Sequence, residues 1–245
     1  MPDVAAIIPA RWGSTRFPGK PLHMIAGKPL IQHVWERTCS ARGISEVIIA
    51  TDDMRIAQAA FDFGAEVSMT SPKHLSGTDR IAEVAKKLPA SITHVINVQG
   101  DEPVVDPALI NRLAETLVAN PKTPMITAAN LFAGDEDVNN PNAVKVVLDR
   151  ESNALYFSRS AIPFSRDRKS PVQYYRHQGI YGYSRKFLLE FIRWKPAILE
   201  KIEQLEQLRA LENGAKIRVL ITKNASIGVD TPDDAMSVAA ILNKL

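Results

Sequence analysis

Short apolar runs alternate with amphipathic segments along the first half of the chain. Residues 4–8, 46–51 and 94–99 are rich in β-branched side chains and too short for helices, which is typical of strands covered on both faces. Between them, residues 29–42 repeat apolar positions at spacings of three and four, as an amphipathic helix does. Strand, helix and strand in so compact an order predict parallel pairing through right-handed crossovers.

The second half has a different pattern. From residue 125, the segments MITAANLF, AVKVVLD and ALYFSR predict strands, with turn signals such as residues 134–142 between them and no helical pattern. Residues 174–183 alternate as a further strand, and residues 217–221 predict a late one. Antiparallel strands should therefore extend a parallel centre, giving an α/β fold with a mixed, mainly parallel sheet.

The segment LEKIEQLEQLRAL, residues 199–211, repeats apolar residues every three or four positions. It predicts one domain helix, because it has too few heptads to favour a coiled coil. No repeat, low-complexity tract or linker interrupts the chain. We expect a single domain, residues 1–245, in which residues 125–185 form a β-rich excursion.

Composition narrows the classes of partner. The 245 residues suffice for a substantial core, and 30 basic against 27 acidic residues give a net charge of +3. With no long like-charge block, a small anionic ligand fits better than nucleic acid. Cys39 is the only cysteine, which excludes an internal disulfide and fits a reducing cytoplasm. Without a signal segment or an 18-residue apolar window, we expect a soluble protein with no membrane partner.

The loop after the first predicted strand carries three cations, Arg11, Arg16 and Lys20, and two glycines. A P-loop places four residues between its glycines and follows Lys with Ser or Thr, whose hydroxyl reaches the metal. Here five residues separate the glycines and Pro21 follows Lys20, so carboxylates elsewhere would have to hold a metal. Together, the three cations and the two glycines predict a polyphosphate-binding loop. The alternative is a basic surface turn with solvated side chains.

Acidic residues follow other predicted strands. Asp101 follows residues 94–99 after one glycine, Gly100. Parallel strands share their carboxyl edge, so Asp101 should face the basic loop as a candidate Mg²⁺ ligand. Its neighbour Glu102 is better explained as a supporting or solvated residue than as a further ligand. Asp230 precedes the final helix and is either a second metal carboxylate or, with Thr231, a cap of that helix.

Three further features have competing interpretations. Asp52 and Asp53 precede a predicted helix at residues 54–63, and capping it is favoured over metal binding. Ser76 and Gly77 open another predicted helix, whose free N–H groups serve either a ligand or an ordinary capped start. His177, taken alone, is better explained as a structural residue than as a substrate contact.

In their fixed order, nine segments resemble the family of 3-deoxy-manno-octulosonate (Kdo) cytidylyltransferases, within the nucleotide-sugar transferase superfamily. The resemblance spans nearly the whole chain and is carried by IIPARWGSTRFPGKPL, ATDD, SGTDRIAE, NVQGDEP, NPNAVKVVLD, ALYFSRSAIPF, RHQGIYGY, LEKIEQLEQLRALENG and GVDTPDD. It implies a three-layer, Rossmann-like nucleotidyltransferase fold. It also implies a homodimer, which the antiparallel strands near residues 143–183 could build.

The resemblance implies a reaction. The anomeric hydroxyl of Kdo attacks the α-phosphorus of CTP in line, and CMP-Kdo and pyrophosphate form for lipopolysaccharide assembly. Mg²⁺ is the implied cofactor, and two ions would suit the chemistry. Catalysis is then mainly positioning and neutralisation of charge.

The family's site residues transfer by motif in three groups. The triphosphate contacts are Arg11, Arg16 and Lys20, and the Mg²⁺ ligands are Asp101 and Asp230; the implied catalytic set is Arg11, Lys20, Asp101 and Asp230. The segment associated with the nucleotide contributes Ser76, Gly77 and Arg80. The residues on the sugar-acid side are Gln99, Arg159, His177, Tyr181 and Glu206.

This chain departs from the family in three places. Trp12 stands where Tyr is usual, Asp79 where Glu is common, and the stretch at residues 166–177 is shorter. The last two leave the acceptor open between Kdo, its 8-amino-3,8-dideoxy analogue and another acidic sugar. The alternative from another class is a catalytically silent nucleotide-binding regulator.

Overall fold

The computed structural model describes residues 3–13, 17–134, 136–166 and 172–243. Its first elements, in chain order, are β1 (Asp3–Ala10), β2 (Met24–Ile25), β3 (Lys28–Pro29), α1 (Leu30–Cys39), β4 (Glu46–Thr51), α2 (Met54–Asp62), β5 (Glu66–Met69), α3 (Gly77–Lys87), β6 (Ile92–Asn97) and α4 (Pro107–Ala119). The later elements are β7 (Met125–Leu131), β8 (Lys145–Leu148), β9 (Ala154–Ser158), β10 (Tyr175–Ser184), α5 (Arg185–Phe191), α6 (Ile198–Glu203), α7 (Gln207–Glu212), β11 (Ile217–Thr222) and α8 (Pro232–Leu242). A single 3₁₀ turn, Lys20–Leu22, precedes β2.

One mixed sheet forms the centre of the fold. Within the described residues it has nine strands, and its main path runs β11, β7, β10, β6, β1, β4, β5. Neighbours on this path are parallel except β10, which is antiparallel to both β6 and β7. The β8–β9 hairpin joins through β8 to β10. The carboxyl ends of β1, β4, β5 and β6 therefore lie at one edge, where open α/β sheets bind ligands.

Apolar side chains cover both faces of this sheet. On one face, Ile8 and Val98 pack with Ile31 of α1 and Leu113 of α4. On the other face, α3, α5 and α7 cover the sheet, with Ile81 as one of the fully buried contacts. The predicted α/β fold with three layers and a mixed, mainly parallel sheet is confirmed. Among the described helices, none has the length and apolar character needed to cross a bilayer.

The single helix predicted for residues 199–211 is wrong. α6 ends before Gln204, whose φ of 52° lies in the left-handed region, and α7 begins only at Gln207. The break frees the carbonyls of Glu203 and Gln204 from helical bonding, and both accept hydrogen bonds from the guanidinium of Arg159. Apolar periodicity does not detect such a break, because the apolar spacing continues across it.

Candidate active site

A cleft of about 550 Å³ opens at the carboxyl edge of the sheet, beside the start of α3. It collects residues from the ends of several strands. The predicted site residues that line it are Arg11, Lys20, Ser76, Gly77, Arg80, Gln99, Asp101 and Asp230. Arg16, the remaining predicted triphosphate contact, lies outside the described residues.

Lys20 joins the two predicted metal carboxylates. Its Nζ donates to Oδ2 of Asp101 at 2.7 Å and to Oδ1 of Asp230 at 3.3 Å. The lysine side chain is only 13% exposed, whereas Asp101 and Asp230 are 35% and 51% exposed. Three segments far apart in the sequence thus bring one cation and two anions to the same point.

The loop that carries Lys20 is held at its base by Trp12. The N–H of Gly19 donates to the carbonyl of Trp12 at 3.4 Å, and a Cβ on Gly19 would lie 3.0 Å from the indole ring. The guanidinium of Arg55 stacks on the indole ring of Trp12, 3.5 Å from the ring centre. Asp53 binds that guanidinium through both carboxylate oxygens and also caps α2, as predicted.

Asp101 is placed by a tight approach between β1 and the turn after β6. A Cβ on Gly100 would lie 2.6 Å from the carbonyl oxygen of Pro9, so this position requires glycine. The Asp101 carbonyl accepts the N–H of Val229 at 2.8 Å, which ties the turn to the segment carrying Asp230.

The start of α3 forms the opposite wall. Ser76 caps the helix, because its Oγ accepts the N–H of Asp79 at 3.0 Å. Arg80, one turn on, is only 3% exposed. Its Nη1 donates to Oγ1 of Thr70 at 2.5 Å and lies 3.2 Å from Oδ1 of Asp52. Asp52 was predicted to share in capping α2; that is wrong, because its carboxylate instead neutralises a buried guanidinium.

A second group lies on the α3 side of the sheet. Nε2 of His177 is 3.0 Å from Oγ1 of Thr127, and its ring contacts those of Phe157 and Tyr181 at centroid distances of 5.0 and 5.4 Å. Burial lowers the pKa of His177 to about 3 and raises the pKa of Tyr181 well above its usual value. At neutral pH both side chains are therefore uncharged hydrogen-bonding groups.

Glu206 connects this group to α3. Its carboxylate accepts from Oγ1 of Thr78 and lies 3.5 Å from Nη2 of Arg209. Burial raises the pKa of Glu206, while the bond from Thr78 and the charge of Arg209 oppose that rise. Arg159 does not line the cleft: its guanidinium donates to the carbonyls of Glu203 and Pro141 at 2.7 and 2.8 Å.

Two buried polar residues were not singled out from the sequence. Asn97 is 1% exposed and Gln207 is 4% exposed. Within the part of the chain that the structure describes, Oδ1 of Asn97 and Nε2 of Gln207 have no hydrogen-bond partner. Such atoms are uncommon in folded proteins, and each calls for a partner or an explanation. The sequence did contain a signal for Asn97, since Asn97 and Gln99 are polar residues at the end of an otherwise apolar buried strand.

The donor set suits a divalent cation. Asp101 and Asp230 direct carboxylate oxygens at one place, where the ammonium of Lys20 already shows that positive charge is favoured. Among the described residues, no group of three or more His, Cys, Asp or Glu side chains is arranged for a metal. Two carboxylates completed by substrate phosphate oxygens are nevertheless a usual arrangement for Mg²⁺.

Comparison with known proteins gives close relatives. A family model described as cytidylyltransferase matches residues 5–217. A 3-deoxy-manno-octulosonate cytidylyltransferase of Geobacter sulfurreducens is 52% identical over 246 residues, covering 96% of this chain and 98% of the relative. One from Syntrophus aciditrophicus is 46% identical and covers 99% of this chain and 98% of its own.

Solved structures of cytidylyltransferases also resemble this chain. A CMP:2-keto-3-deoxy-manno-octonic acid synthetase complexed with CTP superimposes with a TM-score of 0.94, at 41% identity over 99% of both chains. A 4-diphosphocytidyl-2C-methyl-D-erythritol synthase from Anaerococcus prevotii gives a TM-score of 0.67 at 15% identity over 98% of this chain and 96% of its own. The latter shows the fold alone. The chain has the nucleotidyltransferase fold and belongs to the family of 3-deoxy-manno-octulosonate cytidylyltransferases.

Proposed function

We propose that this protein activates Kdo with CTP, giving CMP-Kdo and pyrophosphate for lipopolysaccharide synthesis. The observation that carries the proposal is the meeting of Lys20, Asp101 and Asp230 in a cleft at the carboxyl edge of the sheet. The family membership supports it, as does the high similarity to a synthetase solved with CTP. A volume of about 550 Å³ suits a nucleotide and part of a second substrate.

The basic side of the cleft binds the triphosphate. Arg11 and Lys20 supply positive charge, and the start of α3 at Gly77 supplies backbone N–H groups. Holding the β- and γ-phosphates in place orients the α-phosphorus for in-line attack by the anomeric hydroxyl of Kdo. This positioning and charge neutralisation lower the barrier without a strong general base.

Mg²⁺ is the proposed cofactor, held by Asp101 and Asp230. When bound, it neutralises phosphate charge and favours ionisation of an attacking hydroxyl. Lys20 is long and flexible, so its ammonium can leave the two carboxylates and contact phosphate oxygens as the nucleotide enters. The two aspartates then keep a cationic partner throughout.

The sugar acid binds on the side of the second group. His177 and Tyr181, both uncharged, exchange hydrogen bonds with hydroxyl groups, and Glu206 accepts from them. Gln99, which lines the cleft, is the proposed sugar-acid contact there. Arg159 shapes the site by fixing the break after α6, since its guanidinium is bonded to backbone carbonyls.

We further propose that the protein works as a homodimer in the cytoplasm. The β-rich excursion exposes the large apolar side chains of Leu131, Leu155 and Phe164, at 46%, 61% and 82%. A second copy of the chain is the partner proposed for this surface. Cys39 is a free, exposed thiol, which suits a reducing compartment. Light scattering on a sizing column measures the mass and tests the dimer.

The decisive experiment measures pyrophosphate release from CTP and Mg²⁺ with a panel of sugar acids. We expect turnover with Kdo, and a loss on the order of 10²-fold or more in Asp101→Asn with an unchanged melting temperature. Asp62→Asn, in an exposed position at the end of α2, is the matched control and should stay active. Faster turnover of the 8-amino analogue would reassign the acceptor, and CTP binding without product would indicate the silent regulator.

A further inference from the structure

Glu102 is a buried carboxylate that the proposed chemistry does not use. It is 9% exposed and follows Asp101 directly. Its Oε2 accepts a hydrogen bond from Oγ of Ser226 at 2.7 Å. Ser226 belongs to the segment between β11 and α8, residues 223–231, which also carries Asp230. We call this segment the 223–231 loop.

The 223–231 loop lies along the turn that holds Asp101. The N–H of Val229 donates to the Asp101 carbonyl at 2.8 Å, and the Val229 side chain is fully buried. The Ser226–Glu102 bond is made three residues earlier, to the next residue of the same turn. Two neighbouring residues of the turn therefore fix two points of the loop.

The other end of the loop is fixed by α8. Oδ2 of Asp234 accepts the N–H groups of Asp230 and Thr231 at 2.9 and 2.8 Å. At the start of the loop, Asn224 donates to Oδ2 of Asp106 at 3.0 Å, and its carbonyl accepts from Nε2 of Gln178 at 2.7 Å. Between these anchors, the bond from Ser226 is the side-chain contact that joins the middle of the loop to the turn.

A second cavity, of about 270 Å³, adjoins this contact. Glu102, Ser226 and Ile227 are among its lining residues, as is Ile180 of β10. Because an open space and not packed core adjoins the middle of the loop, removing the bond leaves little to keep Ser226 in place. On the other side, a Cβ on Gly179 would lie 3.4 Å from Oε1 of Glu102, so β10 leaves room for the carboxylate and confines it.

We propose that Glu102 is a positioning residue that, by accepting the hydrogen bond from Ser226, holds the 223–231 loop so that Asp230 faces Asp101. The proposal rests on the proposed function, because it assigns Glu102 to the geometry of that site. In this proposal Glu102 acts on the site through the loop, by its hydrogen bond from Ser226. Removing a residue that orients a metal-binding side chain typically lowers metal affinity or activity by about 10–100-fold.

The test uses the full chain with four variants: Glu102→Ala, Ser226→Ala, the double variant and Glu102→Gln. Mn²⁺ binding in the presence of CTP is followed by electron paramagnetic resonance, and exchange of backbone amides at residues 223–231 by mass spectrometry. Turnover is measured as a third readout. Glu115→Ala, an exposed position in α4, is the control for removal of a glutamate and should match wild type.

We expect Glu102→Ala and Ser226→Ala each to weaken Mn²⁺ binding about 10-fold, to speed amide exchange in the loop, and to lower kcat more than they raise KM for CTP. The double variant should be no worse than the poorer single one, because both remove the same contact. Glu102→Gln keeps an acceptor oxygen and should recover most of the binding. Should Glu102→Ala fail to fold, Ser226→Ala, at a half-buried position in an otherwise mostly exposed loop, carries the test alone.

Other outcomes overturn the proposal. Additive losses in the double variant, or a Glu102→Gln variant as impaired as Glu102→Ala, would show that the hydrogen bond is not the cause. Lost stability with unchanged Mn²⁺ binding and unchanged exchange would make Glu102 merely structural. If wild type itself gave no CMP-Kdo, the proposed function would fail, while Mn²⁺ binding and amide exchange would still decide the role of Glu102.

Discussion

The ammonium of Lys20 lies 2.7 Å from a carboxylate oxygen of Asp101, a residue 81 positions further along the chain. The same nitrogen is 3.3 Å from Asp230. Both contacts fall at the edge where parallel strands end, so two acidic residues that would repel each other are held together by one cation. The lysine therefore stabilises the site, in addition to the role in phosphate binding proposed for it.

Replacing Lys20 with Met should separate these two roles. We expect Lys20→Met to lose most turnover and, without Mg²⁺, to melt about 2–4 °C below wild type, because Asp101 and Asp230 lose their cation. Mg²⁺ alone should restore much of the melting temperature but not the turnover. Lys28→Met removes another lysine, paired with Glu36 at the surface, and should change neither. Full turnover in Lys20→Met would contradict the assignment.

The close approach at Gly100 gives a prediction about the framework of the site. In Gly100→Ala, the new Cβ would lie 2.6 Å from the backbone oxygen of Pro9, so β1 and the turn after β6 must move apart. We expect a loss of about 1–3 kcal/mol in the free energy of unfolding, measured with urea. In the control Gly134→Ala, the Cβ meets no atom within 4 Å. Equal effects of the two substitutions would refute the steric argument.

From the sequence it was possible to predict that the site lies at the carboxyl edge of the sheet, and to name most of the residues that lie there. Apolar runs located the parallel strands, and the rule that their carboxyl ends share one edge brought Lys20 and Asp101 together. Asp230 stayed open from the residues alone, because the same Asp-Thr-Pro pattern suits a helix cap. In the structure Thr231 caps α8, which leaves the carboxylate of Asp230 directed at Lys20.

What the sequence could not supply depends on contacts between distant segments. The break at Gln204 is stabilised by Arg159, whose guanidinium takes carbonyls that a continuous helix would use. The pair between Asp52 and Arg80 likewise joins the end of β4 to α3. Local propensity carries no information on such partners, and so the helix was predicted as continuous and Asp52 as a cap.

Asp52 should matter for nucleotide binding although it does not line the cleft. Asp52→Asn removes the anion beside Arg80, which is 3% exposed and whose Nη1 also donates to Thr70. We expect a loss of about 2–4 kcal/mol in the free energy of unfolding, since an unpaired buried cation is costly. KM for CTP should rise more than kcat falls. Asp62→Asn, exposed at the end of α2, is the control, and a KM equal to wild type would exclude the coupling.

The buried imidazole of His177 predicts a pH dependence of stability. Burial lowers its pKa from the usual 6.5 to about 3 in the folded protein, so between these values the unfolded chain binds the extra proton. The free energy of unfolding therefore rises with pH across this window, by at most about 1.4 kcal/mol per pH unit. Above pH 6.5 the imidazole is uncharged in both states, and it no longer favours the unfolded chain. His94, whose pKa burial also lowers, adds in the same direction.

Urea unfolding at several pH values between about 4 and 6.5 measures that slope. His177→Gln should reduce it, because glutamine does not titrate, and the part due to His94 should remain. Phe157→Leu disturbs the ring contact but keeps the imidazole, so it should lower stability at every pH and leave the slope in place. A slope unchanged by His177→Gln would mean that the imidazole takes up protons equally in the folded and unfolded chains. The uncharged role proposed for His177 in sugar binding would then have to be given up.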